Sequence, residues 1–443
     1  MCWEALRLKK LPFGIVFLAA VQFVAAVSAQ QETEAPAELR QPISTAITVA
    51  QDPKPDEKKP DEKKPDEKKP DETPAKSPSD IKPKPLRRVT RTPEQRDEML
   101  NRVRELRLAG VKPMWGDFMG INPASLVITE PGGLDVLAGS GFPLSEGGSI
   151  AIRRMKLSEN NSPLPMDRWT FGHNFFNDVR NVGDVNRYMF GVEKTYDEGL
   201  GSFAIRFPFE SRLANSQSLT AALDGLVGER ATEAGDLTLI WKRIVAADTG
   251  LLTTAGLGLR IPTAGDGQVL LAGQEVFRVE HKSLHLAPYL AVLGAAKKEK
   301  IFWQAFLQVD VPVNGNPVTM QTSATERTTL GILQDSTLLF ADFGVGYKWL
   351  EEREGWIKEV VPMLELHYAS TLNETDALSF DIGLFGFDLV DEARRYNILN
   401  LTAAVDLKLS DRLSIRPAFS FPLRTGTDRL YDFEAGIQVN LLH

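Results

Sequence analysis

The feature that most constrains the fold of this chain is an alternation of apolar and polar residues, repeated from residue 165 to the carboxyl terminus. In the stretch "FEAGIQVNLL" near the end of the chain, every second residue is apolar. Successive side chains of a β-strand point to opposite faces. Each alternating stretch therefore predicts a strand with one apolar face and one polar face.

We predict twelve such strands. Their lengths are near the about 9–11 residues that a tilted strand needs to cross a bilayer. They cover residues 165–177, 186–196, 201–211, 236–247, 251–262, 282–293, 300–312, 337–350, 359–370, 396–409, 413–424 and 432–442.

The connections between the predicted strands alternate between short and long. The short ones follow the even-numbered strands up to the tenth and read "DEGL", "DTG", "AAKKEK", "EEREGWIK" and "SDR". The long ones follow the third, fifth, seventh and ninth strands, at 212–235, 263–281, 313–336 and 371–395. Outer-membrane barrels have short periplasmic turns and long extracellular loops. We expect an all-β, transmembrane, antiparallel up-and-down barrel.

The run "SIAIRRMKL" at residues 149–157 also has the composition of a strand. Counting it would give an odd number of strands and turn the long loops inward, so we exclude it and predict twelve strands. A count of fourteen stays open. Residues 165–443 form the predicted barrel domain.

Residues 1–29 have the pattern of a secretory signal peptide, with a basic start, the apolar run "FGIVFLAAVQFVAAV" and the cleavage motif "VSA". An uncleaved membrane anchor is the alternative. The only cysteine, Cys2, precedes the apolar run. The processed chain would lack thiols, which excludes disulfides and thiolate zinc sites.

Residues 30–91 have little apolar content, and residues 53–72 repeat a five-residue unit rich in Pro, Lys, Asp and Glu. Such a segment cannot offset the entropy cost of ordering, so we predict a disordered periplasmic linker. The alternative is a tether that binds peptidoglycan or a periplasmic protein.

A short helix is predicted at 92–110, because Thr92 and Gln95 can form a capping box and Gly110 can end the helix. Its one apolar stripe, which predicts a docking face, contains Met99, Val103 and Leu106. The Gly- and Pro-rich residues 111–164 that follow are expected to lie in the periplasm or to plug the barrel.

A resemblance supports this interpretation. The stretches "KLSENNSPLPMDRWTFGHNFFNDV" and "YMFGVEKTYDEGLGSFAIRFPFE" resemble the opening of a group of predicted bacterial outer-membrane, porin-like β-barrel proteins of unassigned substrate. The resemblance is close over about residues 150–211 and implies location and fold, without catalytic residues. Such chains usually end in Phe or Trp, whereas this chain ends in "QVNLLH".

Aromatic residues near the predicted strand ends are expected to form girdles at the two membrane interfaces. They are Trp169, Tyr188, Tyr196, Trp241, Tyr347, Trp349, Tyr368 and Tyr431. Pro417 lies in the middle of a predicted strand and should mark a bulge, because proline cannot donate to a ladder.

Catalytic motifs are missing from the sequence, so we do not expect an enzyme, a cofactor or a metal site. His281 and His285 would share a strand face about 13 Å apart, too far to hold one metal ion. We expect them to be polar residues at a strand mouth. The net charge of −8 argues against nucleic acid as a partner.

Twelve strands predict a narrow or partly plugged lumen. If the apolar faces meet lipid, the residues that line it include Arg168, Arg187, Glu193, Arg206, Glu210, Lys242, Asp310, Asp342, Glu365, Arg416 and Glu434. These charges of both signs suit either solute contact or ion pairs that brace the barrel. The predicted function is a narrow passive pore for small polar solutes, set in the lipid of a bacterial outer membrane with its N-terminal tail in the periplasm. The alternative is a structural anchor tethered to the cell wall through that tail.

Overall fold

The computed structural model describes residues 92–117, 124–131, 141–144, 154–179, 183–213, 216–218, 231–248, 250–271, 274–295, 300–321, 326–352, 355–373, 375, 378–382, 385–391 and 395–443. The predicted signal peptide and linker lie outside these residues. No helix among the described residues is both long enough and apolar enough to cross a membrane.

Twelve antiparallel strands form one closed barrel. Each pairs with the next along the chain, and the last pairs with the first. We number them β1 to β12: Arg168–Val179, Gly183–Tyr196, Gly201–Leu213, Leu237–Asp248, Leu251–Ile261, His285–Ala295, Ile301–Pro312, Leu338–Tyr347, Glu359–Thr371, Asn397–Lys408, Leu413–Pro422 and Phe433–Leu442. The predicted fold class and the count of twelve strands are confirmed.

Pro417 lies where the ladder between β10 and β11 is interrupted. Pairs are formed at Ala404–Ala418 and at Leu407–Ile415, with none between them and no change of register. Because proline has no N–H to donate, the ladder lacks pairs at this point. The register is the same on both sides of Pro417, so the predicted bulge is absent.

The connections divide the barrel into two ends. The short-turn end carries the turns after β2, β4, β6, β8 and β10, and the turn after β8 holds the small strand Leu350–Glu351. The long-loop end carries the remaining connections. Its loops contain further strands: Ser216–Ser218, Ala231–Ala234, Gly267–Leu271, Gln274–Val279, Asn316–Gln321, Arg327–Leu333, Leu378–Ile382 and Phe385–Asp391.

Helix α1, Pro93–Leu108, begins with the predicted capping box. The N–H of Gln95 donates to Thr92 Oγ1 (3.3 Å), and the N–H of Thr92 donates to Gln95 Oε1 (3.1 Å). Gly110, with φ of +64°, follows the end of the helix. At this left-handed φ a residue other than glycine would be strained.

The apolar face of α1 packs into the short-turn end of the barrel. Met99, Val103 and Leu106 are buried against the ends of the strands. The barrel residues in this cluster include Ile244, Leu252, Leu293, Phe302 and Val361. Arg96 adds an ion pair with Asp197 (3.0 Å) in the turn after β2. The helix therefore closes this end with an apolar layer.

The chain between α1 and β1 passes through the barrel. Residues 111–117 and 154–165, which we call the lumen insert, are buried among inward-facing strand residues. Between these two parts, strand Ala124–Pro131 pairs with Gly141–Leu144 and with Phe385–Asp391 of a long loop. The chain thus runs from the short-turn end to the long-loop end and returns.

A second apolar cluster covers the lumen at the long-loop end. Loop residues Tyr396, Leu430 and Tyr431 pack there on Phe176 and Phe340. Tyr431 is 2% exposed, so its assignment to an outer aromatic girdle was wrong. Its hydroxyl accepts a hydrogen bond from Asn400 in the lumen (2.9 Å). Of the other predicted girdle residues, Trp169, Tyr188, Trp241 and Tyr347 are exposed on the outer surface.

Candidate functional site

The two faces of the barrel wall differ sharply in polarity. Outward side chains are large, apolar and exposed, as at Trp169, Phe203, Leu290 and Leu307, each at least half exposed. Inward side chains are mostly polar and buried. A soluble monomer rarely exposes such a continuous apolar surface, whereas a membrane barrel turns it to lipid.

All eleven residues predicted to line the lumen lie buried inside the barrel. Their side chains are Arg168, Arg187, Glu193, Arg206, Glu210, Lys242, Asp310, Asp342, Glu365, Arg416 and Glu434. Several pair with one another or with a neighbouring strand. Glu193 bonds both Arg168 (3.0 Å) and Lys242 (2.8 Å), and Arg416 pairs with Asp406 (2.8 Å).

The buried charges are segregated around the wall. On β7 to β10, the buried carboxylates have no buried Lys or Arg among them. These carboxylates form an acidic wall that consists of Asp310, Asp342, Glu359, Glu365 and Asp406. On β1 to β5, five buried cations form a basic wall: Arg168, Arg187, Arg206, Lys242 and Arg260. Glu193 and Glu210 lie among these cations. The lumen therefore has one predominantly negative side and one predominantly positive side.

The lumen insert presents its cations to the acidic wall. Lys112 Nζ lies 2.6 Å from Glu359 and 3.5 Å from Asp406. Arg154 Nη1 lies 3.3 Å from Asp310, near the long-loop end. Each insert cation thus has a wall carboxylate as its partner.

Lys156 lies at the centre of this contact. Its ammonium is 2.5 Å from Asp117 in the insert and 3.3 Å from Asp342 in the wall, and all three side chains are buried. Asp342 also accepts hydrogen bonds from Ser158 Oγ (2.7 Å) and His367 Nδ1 (2.9 Å). This network joins both halves of the insert to β8 and β9.

The backbone of the insert is bound as well. Glu365 accepts the N–H groups of Trp115 (2.7 Å) and Gly116 (2.9 Å) with its two oxygens. Arg168 donates to the carbonyl of Asn160 (2.6 Å). Peptide N–H groups thus meet an acidic residue and a carbonyl meets a basic one.

Further donors from the basic side complete the contact. Lys242 Nζ donates to the carbonyl of Ser162 (2.9 Å) and to Asn161 Oδ1 (2.7 Å). Arg187 forms an ion pair with Glu159 of the insert. The insert therefore places its cations against the acidic wall and its anion, Glu159, against the basic wall.

At Gly116 the two parts of the insert lie close together. Its φ is +78°, and a Cβ there would lie 2.5 Å from the Cα of Glu159. Only glycine satisfies both conditions. The residue therefore fixes the spacing between 111–117 and 154–165.

Replacing Gly116 by alanine is expected to lower the free energy of unfolding by about 2–4 kcal/mol, because left-handed strain adds to overpacking. Gly426→Ala is the matched control: its φ is +66° and its Cβ would meet no atom within 4 Å. That variant should lose only about 1–2 kcal/mol. Urea unfolding in detergent micelles measures both, and equal losses would show that the insert tolerates the added methyl group.

A cavity of about 350 Å³ opens beside the insert at the short-turn end. Its lining includes Arg107, Lys112, Asp167 and Arg412. The pKa of Asp167 lies below its ordinary value, although partial burial acts to raise it. The carboxylate accepts hydrogen bonds from the N–H and the hydroxyl of Thr195 (2.8 and 2.7 Å) and lies near Lys194, and these contacts outweigh the effect of burial. Asp167 is thus held as a carboxylate that ties the start of β1 to the end of β2.

Two buried side-chain clusters contain groups that occur in metal sites or catalytic sites. Among the described residues, one group has the spacing to hold a metal ion: Asp117, Asp342 and His367. The Lys156 ammonium already contacts both of its carboxylates. The geometry is therefore that of an internal ion pair.

The second cluster lies at the long-loop end, where His285 is buried. Its Nδ1 is 2.7 Å from Asp310, and its Nε2 is 2.9 Å from Ser283 Oγ. This order of groups occurs in serine hydrolases. Here Ser283 is fully buried and donates to the carbonyl of Asn314 (2.8 Å), and Asp335 lies 3.0 Å from the same Nε2. The contacts fasten the loop after β7 to the wall.

His281 makes a similar attachment nearby. Its Nε2 lies 2.8 and 2.9 Å from the two carboxylate oxygens of Asp236. Both histidines of the "HKSLH" motif therefore lie at the mouth of the barrel and join loops to one another or to strands.

A closed barrel of twelve antiparallel strands, apolar outside and polar inside, is a transmembrane β-barrel of the outer-membrane class. No protein-family model matches the chain, and no curated protein matches its sequence.

Similar backbone folds occur among solved outer-membrane proteins. An outer membrane channel from Pseudomonas putida F1 is 9% identical, with a TM-score of 0.42 over 66% of this chain and 100% of that chain. The NanC porin is 8% identical, with a TM-score of 0.34 over 62% of this chain and 99% of that chain. The Pseudomonas putida toluene transporter TodX is 10% identical, with a TM-score of 0.37 over 62% and 89% of the two chains.

Proposed function

We propose that this protein is an outer-membrane channel for small polar solutes, and that the lumen insert holds it closed in the state described here. In this proposal the short-turn end and the N-terminal tail face the periplasm, and the long-loop end faces outward. That orientation follows the arrangement of outer-membrane barrels, whose short turns are periplasmic.

The observation that carries the proposal is the polar contact between the insert and the wall. A barrel that needed only a stable core could fill its lumen with apolar side chains, which require no partners. Here the middle of the lumen is filled by a peptide held through Glu365, Arg168 and Lys242. Each such hydrogen bond involves a charged side chain and contributes about 1.5–3 kcal/mol net, because water can replace it when the insert leaves.

The predicted lining residues then divide by their present partners. Glu365, Asp342 and Arg187 bind the insert, so its withdrawal would expose them to solute. Arg416 and Glu193 also pair with other wall residues and would continue to brace the open barrel. Asp342 and Glu365 also pair with His367 of β9 (2.9 and 3.1 Å), so these two residues serve in both solute contact and bracing.

The test is single-channel recording of the full chain in planar bilayers. Glu365→Gln keeps the side-chain shape but removes the charge that accepts two backbone N–H groups. We expect brief, rare openings from the natural chain and an open probability about tenfold higher from the variant, since about 1.4 kcal/mol corresponds to a factor of ten.

Glu352→Gln, a change at an exposed residue of the short-turn end, is the matched control and should behave like the natural chain. Heat-modifiable migration on gels would establish folding. Folded protein that never conducts, in either the natural or the Glu365→Gln form, would overturn the proposal.

The alternative function, a structural anchor, gains no support from the described residues. The 53–72 repeat that would form the tether to peptidoglycan or a periplasmic protein lies outside them.

A further inference from the structure

The lumen of this barrel is a peptide-binding surface occupied by the chain's own insert. The acidic wall accepts peptide N–H groups through Glu365 and ammonium groups through Asp342 and Glu359. The basic wall donates to carbonyl oxygens through Arg168 and Lys242. Cations, N–H groups, anions and carbonyls of a peptide are all recognised.

From this arrangement we propose that the solute that enters the lumen is zwitterionic, of the class of amino acids and short peptides. The proposal rests on the proposed channel function and names its substrate class. The insert is then a tethered competitor: it occupies the positions that the ammonium and carboxylate ends of such a solute would take.

Opposed walls favour a dipolar solute over a singly charged one. An anion is attracted to the basic wall, with Arg187 and Arg206, but is repelled by Asp310, Asp342 and Glu365 on the opposite side. A cation is attracted to the acidic wall and is repelled by the basic wall. Only a molecule with both charges gains from both sides, and a groove lined by one sign of charge raises the local concentration of the opposite charge.

The insert itself carries the matching pair of charges. Lys156 lies on the acidic wall and Glu159 on the basic wall, three residues apart in one segment. That spacing gives the scale of the solute: its charged groups would be separated by the length of one to three residues.

The inference is tested with four small probes of similar size and different charge. They are diglycine (zwitterion), N-acetylglycine (anion), diglycinamide (cation) and N-acetylglycinamide (neutral). The first readout is hydrogen exchange at residues 111–117 of the full-length protein in detergent. If the zwitterion competes with the insert, diglycine should speed exchange of the Trp115 and Gly116 amides by about tenfold relative to the neutral probe.

A variant of the basic wall provides the control. Arg206 is buried. Its hydrogen bond to the insert is a weak one to Met155 Sδ (3.8 Å), and its charge also attracts Glu159, which stays paired with Arg187 in the variant. Arg206→Gln therefore changes the field of the basic wall while the ion pair between Arg187 and the insert remains. We expect it to reduce the diglycine effect at least threefold and to leave the diglycinamide effect the same or larger.

The second readout is open probability in planar bilayers with the same probes. Channel openings combined with equal hydrogen exchange for all four probes would overturn the substrate class and leave the channel standing. Faster exchange with diglycine from a protein that never conducts would support zwitterion binding and overturn the channel. Equal exchange together with no conduction would overturn both.

Discussion

Replacing Lys156 by methionine is expected to lower the free energy of unfolding by about 3–5 kcal/mol, the usual loss when one partner of a buried ion pair is removed. The ammonium lies between Asp117 and Asp342 with all three side chains buried. Methionine has a similar length and keeps the packing. The loss in free energy of unfolding therefore measures the cost of leaving Asp117 and Asp342 without the ammonium group in a site that excludes water.

Lys194→Met is the matched control, because Lys194 also pairs with an aspartate, Asp167 at 3.1 Å, but its side chain is 67% exposed. Exposed pairs contribute about 0–1 kcal/mol. Urea unfolding followed by gel migration compares the two. If Lys156→Met lost no more than Lys194→Met, water would already reach the cluster and the insert would not be dry.

The twelve strands could be predicted because lipid and lumen impose opposite demands on alternate residues. In β7, for example, Trp303 and Leu307 face outward, while Gln304 and Gln308 are buried inside. The parity of short and long connections then gives an even number of strands, which allows the last strand to pair antiparallel with the first. Neither step needs information on tertiary contacts.

The small strands in the long loops were not predicted. The strand Arg327–Leu333 is largely exposed, so no buried face imposes an alternation on its sequence. Its partner Asn316–Gln321 lies in the same loop. Asn316–Gln321 also pairs with Gln274–Val279 of the preceding long loop, so this pairing depends on a second loop and not only on local pattern.

The lumen insert could not be found by periodicity for a different reason. Its residues contact several strands in no regular order: Lys112 meets β9 and β10, Leu157 meets β7, and Ser162 meets β4. No repeated spacing results. In the sequence, Lys112, Arg154 and Lys156 can be recognised only as charged residues. Their charge does not indicate that they lie inside the barrel.

Three wall charges, Arg260, Glu359 and Asp406, were missed although all three lie in predicted strands. On β5 the inward face also includes Leu252, and on β10 it includes Ile398 and Ala404. These residues face inward because α1 and the loops cover the barrel ends with apolar groups. The alternation weakens there, so the inward charges of the same strands become harder to recognise.

Replacing Val103 by aspartate is expected to detach α1 from the barrel. Val103 is 1% exposed and lies in the apolar layer at the short-turn end. Burial of a valine side chain contributes about 1.5–3 kcal/mol, and a carboxylate cannot stay in that layer unpaired. Hydrogen exchange of the α1 amides should accelerate about hundredfold, which corresponds to a loss of about 3 kcal/mol.

Arg104→Asp, at the exposed neighbouring position, is the control and should leave exchange of the α1 amides almost unchanged.

The same experiment shows whether the helix and the lumen insert close the barrel independently or together. The Trp115 and Gly116 amides are bound by Glu365 above the apolar layer, so they should stay protected in Val103→Asp if the polar insert holds without the helix. If their protection falls together with that of α1, the helix and the insert form one cooperative unit.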